Sequence, residues 1–167
     1  MDILLNGFKI LQKRIPKATL YILGNGTLKS QLEKYVREND LLSNVIFGLV
    51  SRETLLNEYF KKFRIVIIPR PKQKDSKDEI IPIKLIESLA AAKPTIVMDI
   101  PIMSEFPKNS LYVVKSSNPE ALANGMEDLS SDEKKMKEFS ENAHVASKNY
   151  DVQNMVKKLV NSLIKKS

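Results

Sequence analysis

At 167 residues the chain has the size of one ordinary domain and can bury a substantial core without covalent staples. It has no cysteine and a single histidine, His144, which excludes disulfides, thiolate zinc sites, thiol nucleophiles and histidine metal clusters. The formal charge of +7 is dispersed over pairs such as Lys13-Arg14, Lys61-Lys62, Lys134-Lys135 and Lys165-Lys166, interleaved with acids or near expected helix ends, so it reads as solubility and dipole complementarity rather than a nucleic-acid patch.

Ile3, Leu4, Phe8 and Leu11 have the spacing of a helix that ends near Pro16, and Ala18 to Leu23 is a compact β-prone run closed by Gly24-Asn-Gly26. Thr27 or Ser30 is expected to start the next helix, whose Leu28, Leu32, Tyr35 and Val36 share a face. Asn44 to Gly48 follows as a short buried strand. Leu55, Leu56, Tyr59 and Phe60 make another helical face. Arg64 to Pro69 is then almost wholly apolar, the pattern of a parallel strand covered on both faces.

The polar segment from Arg70 to Asp78 reads as a mobile loop, either a plain surface connection or a flap beside a ligand. A helix is expected over Pro82 to Ala92, a strand over Pro94 to Met98, a turn around Pro101 and a last strand over Leu111 to Val114. Helices alone then follow, at Pro119 to Leu129, Ser131 to about Ser147 and Val152 to Lys165. This alternation predicts an α/β fold, a Rossmann-like doubly wound parallel sheet with C-terminal helices, in one domain spanning residues 1–167.

The segment from Glu79 to Glu87 places two carboxylates on either side of a loop-to-helix junction, with Pro82 suited to the helix's first turn. A diphosphate resting on that helix N-terminus would meet unpaired backbone N–H groups and the positive end of the macrodipole. The flanking carboxylates would accept hydrogen bonds from hydroxyls, so the arrangement suggests a sugar-nucleotide site. Carboxylates alone would repel that ligand.

Taken in order, Leu20-Tyr-Ile-Leu-Gly-Asn-Gly26, Asn44-Val-Ile-Phe-Gly-Leu-Val50, Ile65-Val-Ile-Ile-Pro69, the Glu79 and Glu87 pair with Ser88-Leu-Ala-Ala-Ala-Lys-Pro94, and Asn118-Pro-Glu-Ala-Leu-Ala123 form one series. It resembles the C-terminal, donor-binding domain of the group 1 retaining glycosyltransferases, over nearly the whole chain. The resemblance implies one half of a two-domain GT-B enzyme, with the N-terminal half supplied elsewhere, that transfers a hexose-type sugar from a nucleoside-diphosphate sugar to a glycan or lipid-linked acceptor in cell-surface polysaccharide synthesis. It implies no cofactor beyond that donor substrate and no metal.

Carried over by position, Glu87 would accept the donor ribose hydroxyls and Glu79, the catalytic candidate, would face the transferred sugar. Backbone N–H groups of Ile81 and Ile83 would meet the diphosphate or sugar, Gly24 and Gly26 would let backbone approach the nucleotide, and Val50 and Ser51 would lie beside the base. Two departures stand out. Pro82 replaces the glycine usual between the carboxylates and removes one N–H donor. The family's upstream strand and its diphosphate-gripping Arg and Lys have no counterpart here, a costly loss for a departing diphosphate, for which Lys84, Lys72 or Lys74 are the available substitutes.

Each feature also has a plainer reading. Glu79 and Glu87 standing alone would be surface acids or a hydrolase pair, Gly24-Asn-Gly26 a simple turn, His144 a surface residue, and Met98, Met103 and Met126 core filler. The alternatives to a transferase are a non-catalytic nucleotide-binding module of the same fold and an α/β protein that binds polyanions through its charge. The N-terminus lacks a signal-peptide pattern and no stretch has the ~18 apolar residues of a membrane span, so a cytoplasmic location is expected, with weak peripheral contact to acidic lipid at the inner membrane face as the functional use of the charge.

Overall fold

The protein is described by a computed structural model covering residues 2–69, 81–98, 106–115 and 118–151. Glu79, the polar segment 70–78, the turn around Pro101, Met103 and the final helix expected over Val152 to Lys165 lie outside the described residues.

Helix α1, Asp2–Arg14, buries Leu4, Leu5, Phe8 and Leu11, the three- and four-residue spacing of a single helical face. It leads into strand β1, Leu20–Leu23. Helix α2, Lys29–Glu38, follows a turn and buries Leu32 and Val36. Neither Thr27 nor Ser30 caps it: Leu28 holds the cap position without a side-chain bond, and the Lys29 N–H donates to Gly26 O at 3.1 Å. Strand β2, Val45–Gly48, pairs with β1 in parallel, Leu20 opposite Val45 and Leu23 opposite Gly48.

Helix α3 is irregular. It runs as α-helix over Arg52–Thr54, as a π-turn over Leu55–Tyr59, and as α-helix again over Phe60–Lys62. The wider turn places Tyr59, Phe60 and Phe63 in contact, with Tyr21 of β1 packed against Tyr59 and Phe63. Strand β3, Val66–Ile68, leads toward helix α4, Ile83–Ala90. Strands β4, Thr95–Met98, and β5, Tyr112–Val114, and helices α5, Pro119–Ser131, and α6, Glu133–Ser147, complete the strands and α-helices of the described residues.

Strand β4 is central and entirely buried, paired in parallel with β3 on one side and β5 on the other. Its side chains alternate between two layers. Ile96 and Met98 enter a core built with α1, α2 and α5, whereas Val97 joins Leu85 and Leu89 of α4, Phe106, Leu111 and Ala143 of α6. Helices therefore cover both faces, as a doubly wound fold requires. Gly7 of α1 permits a close helix contact, since a Cβ there would stand 3.0 Å from the Pro119 carbonyl of α5.

Two local readings change. The described strands form two parallel sheets, β1 with β2 and β3 with β4 and β5, rather than one continuous sheet. Strand β3, expected to be covered on both faces, is only half-buried at Val66, Ile67 and Ile68. The second follows from the first: among the described strands β3 has a ladder partner on one side only, so its free edge admits water to side chains that a flanking strand would shield. Among the described residues no helix is long and apolar enough to cross a membrane.

Candidate functional site

Helix α4 is fixed from below. Leu85, Ser88 and Leu89 are fully buried, Ser88 Oγ donates to Leu85 O at 2.8 Å, and the Thr95 hydroxyl of β4 lies 3.0 Å from Ser88 Oγ. The opposite face thereby presents Ile83, Lys84 and Glu87. Pro82 does not enter the first turn; it is the cap residue in extended conformation, φ −64° and ψ 134°, and makes no side-chain cap bond. The Leu85 N–H reaches back to Pro82 O at 2.9 Å, while helix geometry leaves the N–H groups of Ile83 and Lys84 with no carbonyl ahead of them in the helix. Ile81 packs its side chain against the second core cluster, and Ile83 is an exposed aliphatic residue, 66% accessible.

The segment after β2 reaches the same place. Val50 is half-buried, and Ser51 caps α3, its Oγ accepting from the Thr54 N–H at 3.0 Å. Arg52 then donates from Nε to Glu87 Oε1 at 2.6 Å. The two partners differ in environment: the Glu87 side chain is only 12% accessible, the Arg52 side chain 68%. A nearly enclosed carboxylate thus has one oxygen held by a cation that faces solvent. Sequence reasoning missed Arg52, because nothing in Ser51-Arg52-Glu53 marks it. Only the parallel arrangement, which gathers strand C-terminal ends on one edge, brings it to a helix 35 positions away.

The glycine turn lies on that edge too. The Gly24 N–H donates to Gly48 O at 2.8 Å, continuing the β1 and β2 ladder by one residue. Gly24 has φ +141°, a conformation that side chains strongly resist. A Cβ at Gly24 or Gly26 would meet nothing within 4 Å, so both border open space rather than packed protein.

Ile81, Ile83, Lys84 and Glu87 thus share one helix start, and Val50, Ser51 and Arg52 are tied to it through Arg52. Glu79 lies outside the described residues. Other charged groups belong elsewhere: Tyr112 donates to Asp128 Oδ2 at 2.7 Å, and Lys135 donates to the same carboxylate. Burial and that hydrogen bond push the Tyr112 phenol up to about 12, and Lys135, then Tyr112, hold the Asp128 carboxyl below its usual range. A cavity of about 340 Å³ beside Phe106, Leu111, Tyr112 and Phe139 lies at this end and not at Glu87, so it has no part in the site. Among the described residues no group of three His, Asp or Glu is placed to hold a metal ion. His144 is exposed, as expected for a surface residue.

A parallel α/β chain with helices on both faces of its sheets defines the Rossmann-like class of architecture. The chain belongs to the glycosyl transferases group 1, whose family model matches residues 1–145. No curated protein matches it by sequence. Among solved structures it is similar to sucrose-phosphate synthase from Thermosynechococcus elongatus, with TM-score 0.73 and 19% identity, over 97% of this chain and 42% of that one. It is similar to Anabaena HepE in complex with UDP-glucose, with TM-score 0.74 and 17% identity, over 99% of this chain and 45% of that one. The C-terminal domain of a group 1 glycosyl transferase from Francisella tularensis aligns with TM-score 0.71 and 19% identity, covering 88% of this chain and 77% of that domain. The chain therefore spans less than half the length of the first two, and at these identities the likeness shows the fold.

Proposed function

We propose that this chain is the donor-binding half of a retaining glycosyltransferase that takes a nucleoside-diphosphate sugar. The observation that carries the reading is the bond from Arg52 to Glu87, which joins the segment after β2 to the face of α4 in a chain of this family. Glu87 accepts the ribose hydroxyls through the oxygen that Arg52 leaves open. The N–H groups at Ile81, Ile83 and Lys84, with the Lys84 ammonium, receive the diphosphate at the positive end of the helix dipole. Val50 and Ser51 flank the base, while Gly24 and Gly26 keep the approach clear of side chains. Glu79 orients the transferred hexose near the leaving phosphate.

In this reading the chain is one domain that acts with an N-terminal GT-B half and is inactive alone. That half supplies the acceptor site for a glycan or lipid-linked acceptor in cell-surface polysaccharide synthesis, on the cytoplasmic side and in peripheral contact with acidic lipid. HepE was solved with UDP-glucose, which makes uridine the first base to try. No metal is required, because helix N–H groups and lysine supply the positive potential.

The test is a titration of the chain with UDP, GDP, ADP and their sugar conjugates, followed by backbone amide NMR. Selective shifts at Ile83 to Glu87 and at Val50 to Arg52 with one base support the donor site. Shifts that saturate while a reconstituted two-domain enzyme transfers no sugar favour the non-catalytic nucleotide-binding module instead. No shift with any nucleotide at millimolar concentration rejects both.

A further inference from the structure

Three of the five glycines follow an asparagine: Asn6-Gly7, Asn25-Gly26 and Asn124-Gly125. This dipeptide is chemically reactive, because a glycine nitrogen, unhindered by a side chain of its own, can attack the preceding carboxamide and close a succinimide ring. Closure needs a backbone N–H free to lose its proton, room around the glycine, and a main chain able to rotate until the nitrogen meets Cγ. The sequence makes the three pairs alike. The fold separates them. Gly7 stands inside α1 and Gly125 inside α5, so helix geometry commits their N–H groups to the Ile3 and Ala121 carbonyls and holds each nitrogen away from the preceding side chain.

The helical asparagines are tethered as well. Tyr35 Oη donates to Asn6 Oδ1 at 2.6 Å, and Arg14 Nη1 donates to Asn124 Oδ1 at 2.7 Å. Both glycines are crowded, since a Cβ at Gly7 would stand 3.0 Å from the Pro119 carbonyl and one at Gly125 3.0 Å from Tyr112 Cε1. Ring closure at either position requires the helix to unfold locally. Asn25-Gly26 has none of these restraints. The pair follows β1, outside helix and strand, and both residues are exposed. Among the described residues neither the Asn25 carboxamide nor the Gly26 N–H makes a hydrogen bond; Gly26 only accepts, from the Lys29 N–H. A Cβ at Gly26 would meet nothing within 4 Å, which leaves room for the tetrahedral adduct.

We propose that Asn25 is a self-modification site, which converts to aspartate and isoaspartate without an enzyme while Asn6 and Asn124 stay intact in the folded chain. The Gly26 nitrogen gives its proton to water and bonds to Asn25 Cγ; the Cγ–Nδ2 bond breaks, and ammonia leaves with a proton taken back from water. The succinimide then takes up a water molecule. Opening at Cγ yields aspartate, and opening at the main-chain carbonyl yields isoaspartate, whose backbone runs through Cγ and is longer by a methylene. The balance is one carboxamide and one water converted to one carboxylic acid and ammonia, and the acid ionises at neutral pH. Either product sets a negative charge in the turn of Gly24 and Gly26. Its consequence for ligands rests on the nucleotide reading given above: a carboxylate there opposes an approaching diphosphate, so the aged chain binds nucleotide more weakly.

Ageing of the folded chain in warm, mildly alkaline buffer, followed by peptide mapping with mass spectrometry, tests the site. The peptide carrying Asn25 is expected to gain about 1 Da, the difference between an amide and an acid, at roughly ten times the rate of those carrying Asn6 and Asn124, or faster. In urea the three rates are expected to converge, because the restraint on the slow pairs is the helix. Gly26→Ala places a side chain in open space at a φ outside the left-handed region, and is expected to slow the reaction at Asn25 about tenfold by crowding the attacking nitrogen. Equal rates at the three asparagines in the folded chain overturn the proposal, as does a rate at Asn25 that Gly26→Ala leaves unchanged. Titration of fresh and aged chain with UDP, GDP and ADP separates the consequence from the site. Weaker binding after ageing supports it, and equal binding overturns it. A fresh chain that binds no nucleotide overturns the nucleotide reading instead, while the mass gain at Asn25 still decides the modification.

Discussion

Arg52 Nε stands 2.6 Å from Glu87 Oε1, and it joins a solvent-facing guanidinium to a carboxylate that is almost enclosed. The asymmetry sets the roles. Arg52 alone would be a surface cation whose ion pair contributes little, but Glu87 has few alternative partners, so its carboxylate orientation depends on the guanidinium. One oxygen is thereby fixed, and the other accepts no hydrogen bond among the described residues.

Glu87→Ala is therefore expected to weaken binding of the matching nucleotide by about 1.5–3 kcal/mol, roughly 10- to 150-fold, the range for a hydrogen bond to a charged group. Arg52→Ala should weaken it less, about threefold to tenfold, because the carboxylate remains but loses its fixed rotamer. The double variant should bind no worse than Glu87→Ala. Calorimetric titration of all three against wild type checks this, and additive losses would mean that Arg52 contacts the ligand by itself.

Helix approach is the second measurable feature. A Cβ at Gly125 in α5 would stand 3.0 Å from Tyr112 Cε1 and 3.2 Å from Val114 Cγ2 of β5, and one at Gly7 would meet the Pro119 carbonyl. Gly125→Val and Gly7→Val should each lower stability by about 1–3 kcal/mol through overpacking. At Gly7 the obstacle is backbone, which cannot rotate away, so Gly7→Val should be the worse of the two in urea unfolding.

The α/β class, the strand and helix alternation and the order of elements were legible because period-two and period-3.6 patterns differ plainly in runs such as Ile65 to Pro69 and Pro119 to Leu129. Glu87 was legible through its spacing in a family-like series. Arg52 was not, because its significance lies in a contact across the fold. Nor was the start of α2 at Lys29, where a backbone bond to Gly26 replaces the expected side-chain cap. The split sheet was equally hidden: strand propensity shows that β1 and β3 exist, whereas pairing depends on which neighbours are available.

Alkaline and acid limits follow from Tyr112 and Asp128. The folded chain favours the neutral phenol, whose pKa is pushed up to about 12 by burial and the hydrogen bond to Asp128; the unfolded value is about 10. Its contribution is complete below pH ~10 and lost as pH rises toward ~12. Asp128, held low chiefly by Lys135, contributes above the ordinary carboxylate pKa and loses that contribution as pH falls through its depressed folded value. The tyrosine is only part-buried, so solvent screening keeps its effect under about 1 kcal/mol. Urea unfolding across pH should show a shallower alkaline decline in Tyr112→Phe than in wild type; identical slopes would remove Tyr112 from the account.

Helix α4, which carries Glu87, ends on a residue whose conformation does not suit it. Ala92 has φ +53°, the left-handed region, and its N–H bonds to Leu89 O at 2.9 Å while Lys93 N–H bonds to Ser88 O at 2.9 Å, the reversal that commonly closes a helix on glycine. An L-residue in that region costs roughly 1–2 kcal/mol. Ser140 Oγ donates to Ala92 O at 2.7 Å, so the surrounding structure holds the strained turn in place. Ala92→Gly removes the strain, offset by about 0.5–1 kcal/mol from the greater freedom of glycine in the unfolded chain. A net gain of about 0.5–1 kcal/mol is expected, a rise in Tm of roughly 1–4 °C for a domain of this size. Gly24→Ala, at φ +141°, should move Tm in the opposite direction. If Ala92→Gly lowers Tm instead, the turn after α4 is not the strained closure described here.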